Sequence, residues 1–169
     1  MSITPEIMIP LVGIENEIKV IRQHIKEVAD EIIKRENSNM KYMVGTMIEI
    51  PRAALLADKI AKHADFFSFG TNDLTQMSFG FSRDDADTFL KPYIAQDVLE
   101  EEGVGKLMKM AVTLGRETNP NLHIGICGEH GGDPKSIAFC DELGLNYVSC
   151  APYLVPVARL AAAQSAIKR

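Results

Sequence analysis

The sequence predicts an α/β protein made of about five βα units of a TIM-type (β/α)8 barrel with parallel strands. Three observations predict it. Short apolar runs alternate with amphipathic stretches five times along 169 residues, the order that gives parallel strands joined by right-handed crossovers. Spread over five units, 169 residues make about 34 each, close to one eighth of a barrel of roughly 250 to 300 residues. Chemistry-bearing residues stand where the apolar runs end, at the carboxyl ends of the strands, where barrel enzymes build their sites. An open doubly wound sheet is the competing architecture. The absence of a GxGxxG or GxxxxGK[ST] loop weakens its nucleotide-binding versions.

Glu6 to Val12 is a short apolar run closed by Gly13, which reads as a buried first strand. Ile14, Ile18, Ile21, Ile25, Val28 and Ile32 then recur at steps of four and three, one apolar stripe on a helix. Glu15, Lys19, Gln23, Lys26 and Asp30 occupy its other faces, and the pattern stops at Glu36-Asn37-Ser38-Asn39. A coiled-coil seam would look similar, but so short a run suits a helix packed on a sheet. Tyr42 to Ile50 is the second strand, and Pro51 is well placed in the first turn of the next helix, whose apolar side is Ala53, Leu56, Ile60 and Ala61. Asp65 to Phe69 is the third strand, ending in Gly70-Thr71-Asn72-Asp73, with the helix of that unit at Gly103 to Arg116. Leu122 to Cys127 and Pro134 to Leu143 form the fourth unit. Leu145 to Cys150 and Val155 to Ile167 form the fifth.

Composition places these units in a single domain, residues 1–169. With 46% hydrophobic residues the chain can bury a core. A formal charge of −5 argues against nucleic acid or an anionic membrane as a general partner. No run approaches the roughly 18 apolar residues of a membrane span, and no charged and apolar leader opens the chain. Cys127, Cys140 and Cys150 are odd in number and lack CxxC spacing, so neither a disulfide framework nor zinc is expected. A reducing cytoplasm is the simplest location.

The stretch that carries most chemistry is Gly125-Ile126-Cys127-Gly128-Glu129-His130-Gly131-Gly132-Asp133-Pro134. Glycine lets backbone approach a ligand closely and adopt φ > 0, so a strand ends here in a loop that presents a thiol. A lone cysteine is more often simply buried; two carboxylates change that weighting. Glu49 lies inside Met47-Ile48-Glu49-Ile50, where a bare carboxylate is costly unless paired or metal-bound. Asp73 ends the following strand in the same way. Each alone could be an ion pair or a helix cap. Together, at the ends of successive parallel strands, Glu49 and Asp73 suit Mg2+, which takes one or two protein carboxylates and completes its shell with water and substrate oxygens.

The segments GTMIEIPRAAL (45–55), FFSFGTNDLTQMSFGFSRDD (66–85), GICGEHGGDP (125–134) and YVSCAPYLVPVARLAAAQ (147–164) resemble the pyruvate, phosphate dikinase family, within the larger group of phosphoenolpyruvate-utilising enzymes. The resemblance covers residues 6 to 169 and is to the C-terminal part of that family's phosphoenolpyruvate/pyruvate-binding barrel. Glu-His-Gly-Gly-Asp-Pro after the cysteine is the dikinase form; the sibling families differ there. The resemblance implies a dimerising barrel in which Glu49 and Asp73 are Mg2+ ligands, with Glu49 reaching substrate through the metal. It also implies that Gly70, Thr71, Asn72 and Asp73 line the substrate, and that Cys127 is the proton donor to the methylene carbon. The partners implied are pyruvate or phosphoenolpyruvate and a separate phosphohistidine domain.

That histidine belongs elsewhere in the family, so His130 is read as an ordinary loop residue. His24, His63 and His123 are read as structural or solvated, and Cys140 and Cys150 as core. Arg83 is expected to pair with Asp84 or Asp85, and Glu100-Glu101-Glu102 to be the solvated start of a helix, where negative charge suits the dipole. The chain departs from the family in three respects: the nucleotide-binding and phosphohistidine domains and first barrel strands are absent, with the phosphate-clamping arginines; Thr88 to Glu102 is short; and Ala151-Pro152-Tyr153-Leu154 stands where Ser-Pro-aromatic-Arg is commoner. The isolated chain is therefore expected to lack dikinase activity and, with two open sheet edges, to self-associate or be partly disordered. A Mg2+-dependent enolpyruvate lyase or aldolase, and a non-catalytic dimerisation or docking fragment, are the alternatives.

Overall fold

The computed structural model describes residues 3–80 and 101–168. Its centre is a five-stranded parallel sheet of β1 (Glu6–Ile9), β2 (Met43–Ile48), β3 (Phe66–Gly70), β4 (His123–Cys127) and β5 (Tyr147–Val148). The spatial order is β1-β2-β3-β4-β5, the order of the chain. A doubly wound sheet reverses its strand order at a switch point; this sheet never does. Winding in one direction with right-handed crossovers puts the helices on one face, so the five units are a portion of a TIM-type barrel.

The helices are α1 (Glu15–Arg35), α2 (Pro51–Leu55), α3 (Ala57–Ile60), α4 (Thr71–Phe79), α5 (Lys106–Thr118), α6 (Pro134–Glu142) and α7 (Val155–Lys168). Pro51 and Pro134 open α2 and α6, and Asp133 caps α6 by accepting the Ser136 backbone N–H at 2.8 Å. The core lies between sheet and helices: Ile48, Phe67, Phe69, Ile124 and Ile126 pack beneath Ala57, Ile60, Met108 and Ala111. β3 is buried at every position, as befits a strand covered on both faces. On the other face, small residues make room for large ones: a Cβ on Gly45 would run into the Phe66 ring, and one on Gly125 into the Tyr147 ring.

The amino ends of the strands are tied by polar side chains. Arg22 donates to the carbonyls of Val44 (2.7 Å) and His63 (3.1 Å) and pairs with Asp65 at 2.9 Å, while Asp65 accepts the Val44 N–H at 2.8 Å. Asn146 accepts from Ile124 N–H at 2.8 Å and from Arg116 at 3.1 Å, joining β4, α5 and the approach to β5. In barrels this end serves stability and the opposite end chemistry.

Several expected elements differ in detail. β1 stops at Ile9 rather than Val12, because Pro10 has no N–H for the ladder and Leu11 turns into the left-handed region at φ 56°. The helix predicted over Ile14–Ile32 exists, but its stripe is only half used. Ile18 is buried and Ile25 packs on the core, whereas Ile21, Val28 and Ile32 stay exposed. The helix after Pro51 breaks into two short ones at Leu56. Of Gly70-Thr71-Asn72-Asp73, read as a strand end, Gly70 does end β3, but Thr71, Asn72 and Asp73 instead start helix α4. The predicted Gly103–Arg116 helix is a single wide turn at Glu101–Gly105 followed by α5. β5 shrinks to two residues. The reading of Arg83, and that of the short segment Thr88 to Glu102 except for its last two residues, fall on residues 81–100, outside the described residues.

Candidate functional site

The carboxyl ends of β2, β3 and β4 lie side by side: Ile48 pairs in register with Phe69, and Gly70 with Cys127. Glu49 follows β2 directly and is 4% exposed. Its Oε1 accepts the backbone N–H of Leu11 at 2.7 Å, across 38 residues of sequence. That N–H is delivered by the left-handed backbone of Leu11, whose side chain remains 59% exposed. Among the described residues no Lys, Arg or His pairs with Glu49. A buried carboxylate with one N–H donor and no cation is an energetically demanding arrangement.

Gly70 is shaped around that carboxylate. A Cβ there would come within 2.7 Å of Met47 Sδ, 2.8 Å of Glu49 Cβ and 3.0 Å of Glu49 Oε2. Only glycine leaves Glu49 its place beside β3. Thr71, Asn72 and Asp73 then form the first turn of α4: Thr71 buried, Asn72 exposed, Asp73 half-buried. Negative charge at Asp73 suits the positive end of the helix.

Cys127 ends β4 half-buried, and its Sγ–H donates to the Phe69 carbonyl at 3.4 Å. Gly128 follows at φ 91°, a conformation that favours glycine, and a Cβ there would meet the Asn72 side chain at 3.6 Å. The turn Glu129–Gly132 comes next, with His130 Nδ1 2.8 Å from the Thr71 hydroxyl. Leu154 lies against Gly132. Gly70, Thr71, Asn72 and Cys127 therefore share one patch with Glu49, and Asp73 rides on the same helical turn three residues beyond Gly70.

The donor set fits a hard divalent cation in one particular way. Among the described residues no three His, Cys, Asp or Glu side chains gather as a metal cage. Two carboxylates alone suit Mg2+, which keeps several waters or substrate oxygens, and Glu49, buried with no cation partner among the described residues, is the observation that favours it.

Two contributors escape a reading of the sequence. Leu11 acts through its backbone, and a non-glycine left-handed residue leaves no signal in sequence. His130, expected to be an ordinary loop residue, stands three positions after Cys127, a spacing that in a tight turn returns a side chain toward the neighbouring strand end. The bland readings of His24, His63, His123 and Cys140 agree with the structure, whereas Cys150, read as core, is only half-buried. His24 is exposed, His63 bonds Glu15 at 3.1 Å, and His123 stacks on Tyr147 at 5.2 Å. Cys140 is buried, and burial pushes its thiol up to about 12. Among the described residues no helix is long and apolar enough to cross a membrane.

The model of the family described as "PEP-utilising enzyme, PEP-binding domain" matches residues 2–167. The chain is 58% identical over 175 aligned residues to pyruvate, phosphate dikinase of Clostridium symbiosum, covering 99% of this chain and 20% of that protein. It is 56% identical over 172 residues to the chloroplastic pyruvate, phosphate dikinase of Flaveria bidentis, covering 97% and 18%. The chain thus spans about a fifth of the length of the curated relatives it matches. Among solved structures, a citrate lyase from Burkholderia xenovorans LB400 superposes with a TM-score of 0.63 at 14% identity, covering 95% of this chain and 49% of the other. A pyruvate kinase from Cryptosporidium parvum gives 0.61 at 11%, covering 95% and 31%. These two show the TIM-barrel-like fold alone. The family match spans almost the whole chain, and on that ground the chain belongs to the PEP-binding domain family of PEP-utilising enzymes.

Proposed function

We propose that the chain supplies the pyruvate/phosphoenolpyruvate-handling half of a pyruvate, phosphate dikinase, which converts ATP, pyruvate and phosphate to AMP, phosphoenolpyruvate and diphosphate. The observation that carries this reading is the convergence of Glu49, Gly70, Asn72 and Cys127 at the ends of three adjacent parallel strands. Glu49 and Asp73 would hold Mg2+, whose positive charge stabilises the negative charge that develops on an enolate oxygen. Glu49 is kept in place for this by the Leu11 N–H and by the missing side chain at Gly70. The Asn72 amide and the main-chain N–H groups around it offer neutral hydrogen bonds to the substrate carboxylate, adding no charge of their own.

Cys127 moves the proton. When the phosphoryl group leaves phosphoenolpyruvate, the C3 methylene carbon takes the Sγ proton and becomes the methyl group of pyruvate, leaving a thiolate. In the reverse direction the thiolate removes a methyl proton and is returned to the thiol. The sulfur forms no covalent bond to substrate, so Cys127 is a general acid and base. The phosphoryl acceptor would be a phosphohistidine domain, and the assembled enzyme a homodimer in the cytoplasm. The 169 residues alone would not carry out the ATP-dependent reaction.

Binding of oxalate, an enolate mimic, to the chain with and without Mg2+ tests the reading by calorimetry. Mg2+-dependent binding is expected, abolished by Glu49→Ala and by Asp73→Ala but spared by Cys127→Ala. In an enzyme of full dikinase length carrying this domain, Cys127→Ala should stop exchange of solvent deuterium into the pyruvate methyl group. Oxalate binding indifferent to both carboxylates would overturn the metal assignment and leave a non-catalytic docking module. Exchange retained without the thiol would overturn the proton assignment.

A further inference from the structure

A short side-chain bond between the two loops of the site joins residues 59 apart in sequence: Thr71 Oγ1 lies 2.8 Å from His130 Nδ1. Other approaches across this point are looser: the Cys127 Sγ–H reaches the Phe69 carbonyl at 3.4 Å, and the Asn72 side-chain amide stands 3.6 Å from where a Cβ on Gly128 would be. Thr71 is 3% exposed and sits between Gly70, which has no room for a Cβ beside Glu49, and Asn72, whose side chain faces Gly128. A displacement of the Thr71 backbone therefore moves both neighbours.

The turn on the other side is poor in side chains that could anchor it. Gly128, Gly131 and Gly132 have none, and glycine gives backbone the most conformational freedom of any residue. Gly131 is pressed against the Ser149 carbonyl and Gly132 against Leu154, so the far side of the turn rests on the segment after β5. The near side reaches β3 and α4 through the imidazole. Whichever of the two groups donates, the bond fixes the hydroxyl rotor of Thr71 and the ring orientation of His130 together.

We infer that His130 is a positioning residue for the reaction: its bond to Thr71 clamps the loop carrying Cys127 onto the turn carrying Thr71, Asn72 and Asp73. The thiol and the substrate-holding groups are thereby kept in one geometry. The inference rests on the function proposed above, because it assigns purpose to the clamp through the substrate of that same site. His130 touches Thr71 and acts through it.

Two readouts on the full 169-residue chain test the clamp. The first needs no ligand: NMR relaxation of the Thr71 methyl group and of the Gly128 and Gly131 amides. His130→Leu should loosen the Thr71 methyl, and Thr71→Val, which keeps the side-chain shape, should loosen the two glycine amides. His130→Asn, whose amide can stand where Nδ1 stands, should restore both. The second is Mg2+-dependent oxalate affinity. Loss of one hydrogen bond predicts about a five- to tenfold weakening in either single variant, and clearly less than additive weakening in the double variant, because both remove the same bond. Additive losses, or mobility that changes only in the mutated loop, would overturn the clamp. If the unaltered chain binds no oxalate, the proposed function fails, while the relaxation cross-effect still decides the clamp by itself.

Discussion

Single residues at this site are constrained by what surrounds Glu49. Its carboxylate takes the Leu11 N–H on one oxygen and leaves the other beside Gly70. Gly70→Ala places a methyl carbon where Met47 Sδ, Glu49 Cβ and Glu49 Oε2 already stand. Overpacking of this kind costs about 1–3 kcal/mol, and the softest response is for Glu49 to swing away. The expected outcome is a lowered urea midpoint together with loss of Mg2+-dependent oxalate binding; binding kept at full strength would show that Glu49 need not stay where it is. Leu11 makes the complementary case. A non-glycine residue at φ 56° is strained by about 1 kcal/mol, so Leu11→Gly keeps the N–H, relieves the strain and should raise stability by up to about 1 kcal/mol in urea unfolding. Cys140 is one residue-scale source of pH dependence. Burial raises its thiol from 9.0 to about 12, so the folded chain holds this proton where the unfolded chain has released it. The stability tied to the neutral thiol is whole below about pH 9 and falls as pH rises toward 12, by an amount on the order of 4 kcal/mol. Cys140→Ala, compared with the parent by urea unfolding at about pH 8 and about pH 10.5, on either side of the unfolded thiol's range, should flatten that fall.

At the scale of elements, α1 divides into a half that packs and a half that projects. Ile18 is wholly buried, while Ile21, Val28 and Ile32, on the same stripe, remain 41%, 46% and 44% exposed. Ile18→Ala should cost about 2–4 kcal/mol. Val28→Ser and Ile32→Ser should each change stability by less than about 0.5 kcal/mol. Equal costs along the stripe, measured by urea unfolding, would show that the outer half is covered after all. This helix also shows how far the sequence could be read. Its spacing foretold a helix, since period 3.6 is a property of the chain itself, but how much of a stripe is covered depends on what packs against it. The strand ends that bear Glu49 and Cys127 were legible because a carboxylate or thiol interrupts an apolar run, whereas Asp73, read as a third strand end, lies in the first turn of α4. Helix α4 was not, because Gly70-Thr71-Asn72-Asp73 carries turn residues that equally open a helix. The Leu11 N–H and the Thr71–His130 bond were not, because both join segments far apart in sequence. Arg22 belongs with them: its bonds to Val44 and His63 carbonyls and to Asp65 arise only once α1 lies across β2 and β3.

For the molecule as a whole, the strand order has a consequence for association. A sheet wound in one direction closes on itself when eight strands are present; five leave β1 and β5 at its margins. Among the described residues β1 pairs only with β2, and β5 only with β4. A free strand edge offers unpaired N–H and C=O groups to another chain. Apolar side chains lie close to both margins: Ile3, Met8 and Leu11 near β1 are 75%, 40% and 59% exposed, and Val157 and Leu160 of α7 are 44% and 61%. The net charge of −5 is a modest repulsion to set against edges of this kind. Taken by itself, the 169-residue chain is therefore expected to self-associate reversibly through these edges. Sedimentation velocity over a dilution series should show a weight-average mass that falls toward 18.6 kDa on dilution. Met8→Lys puts a positive charge on the exposed edge strand, the device by which natural sheets discourage edge pairing, and should shift the series toward monomer. A parent chain already monomeric throughout the series would mean that the margins are covered by the chain's own residues. Association unaffected by Met8→Lys, yet weakened by Leu160→Lys, would place the contact on α7 instead of β1.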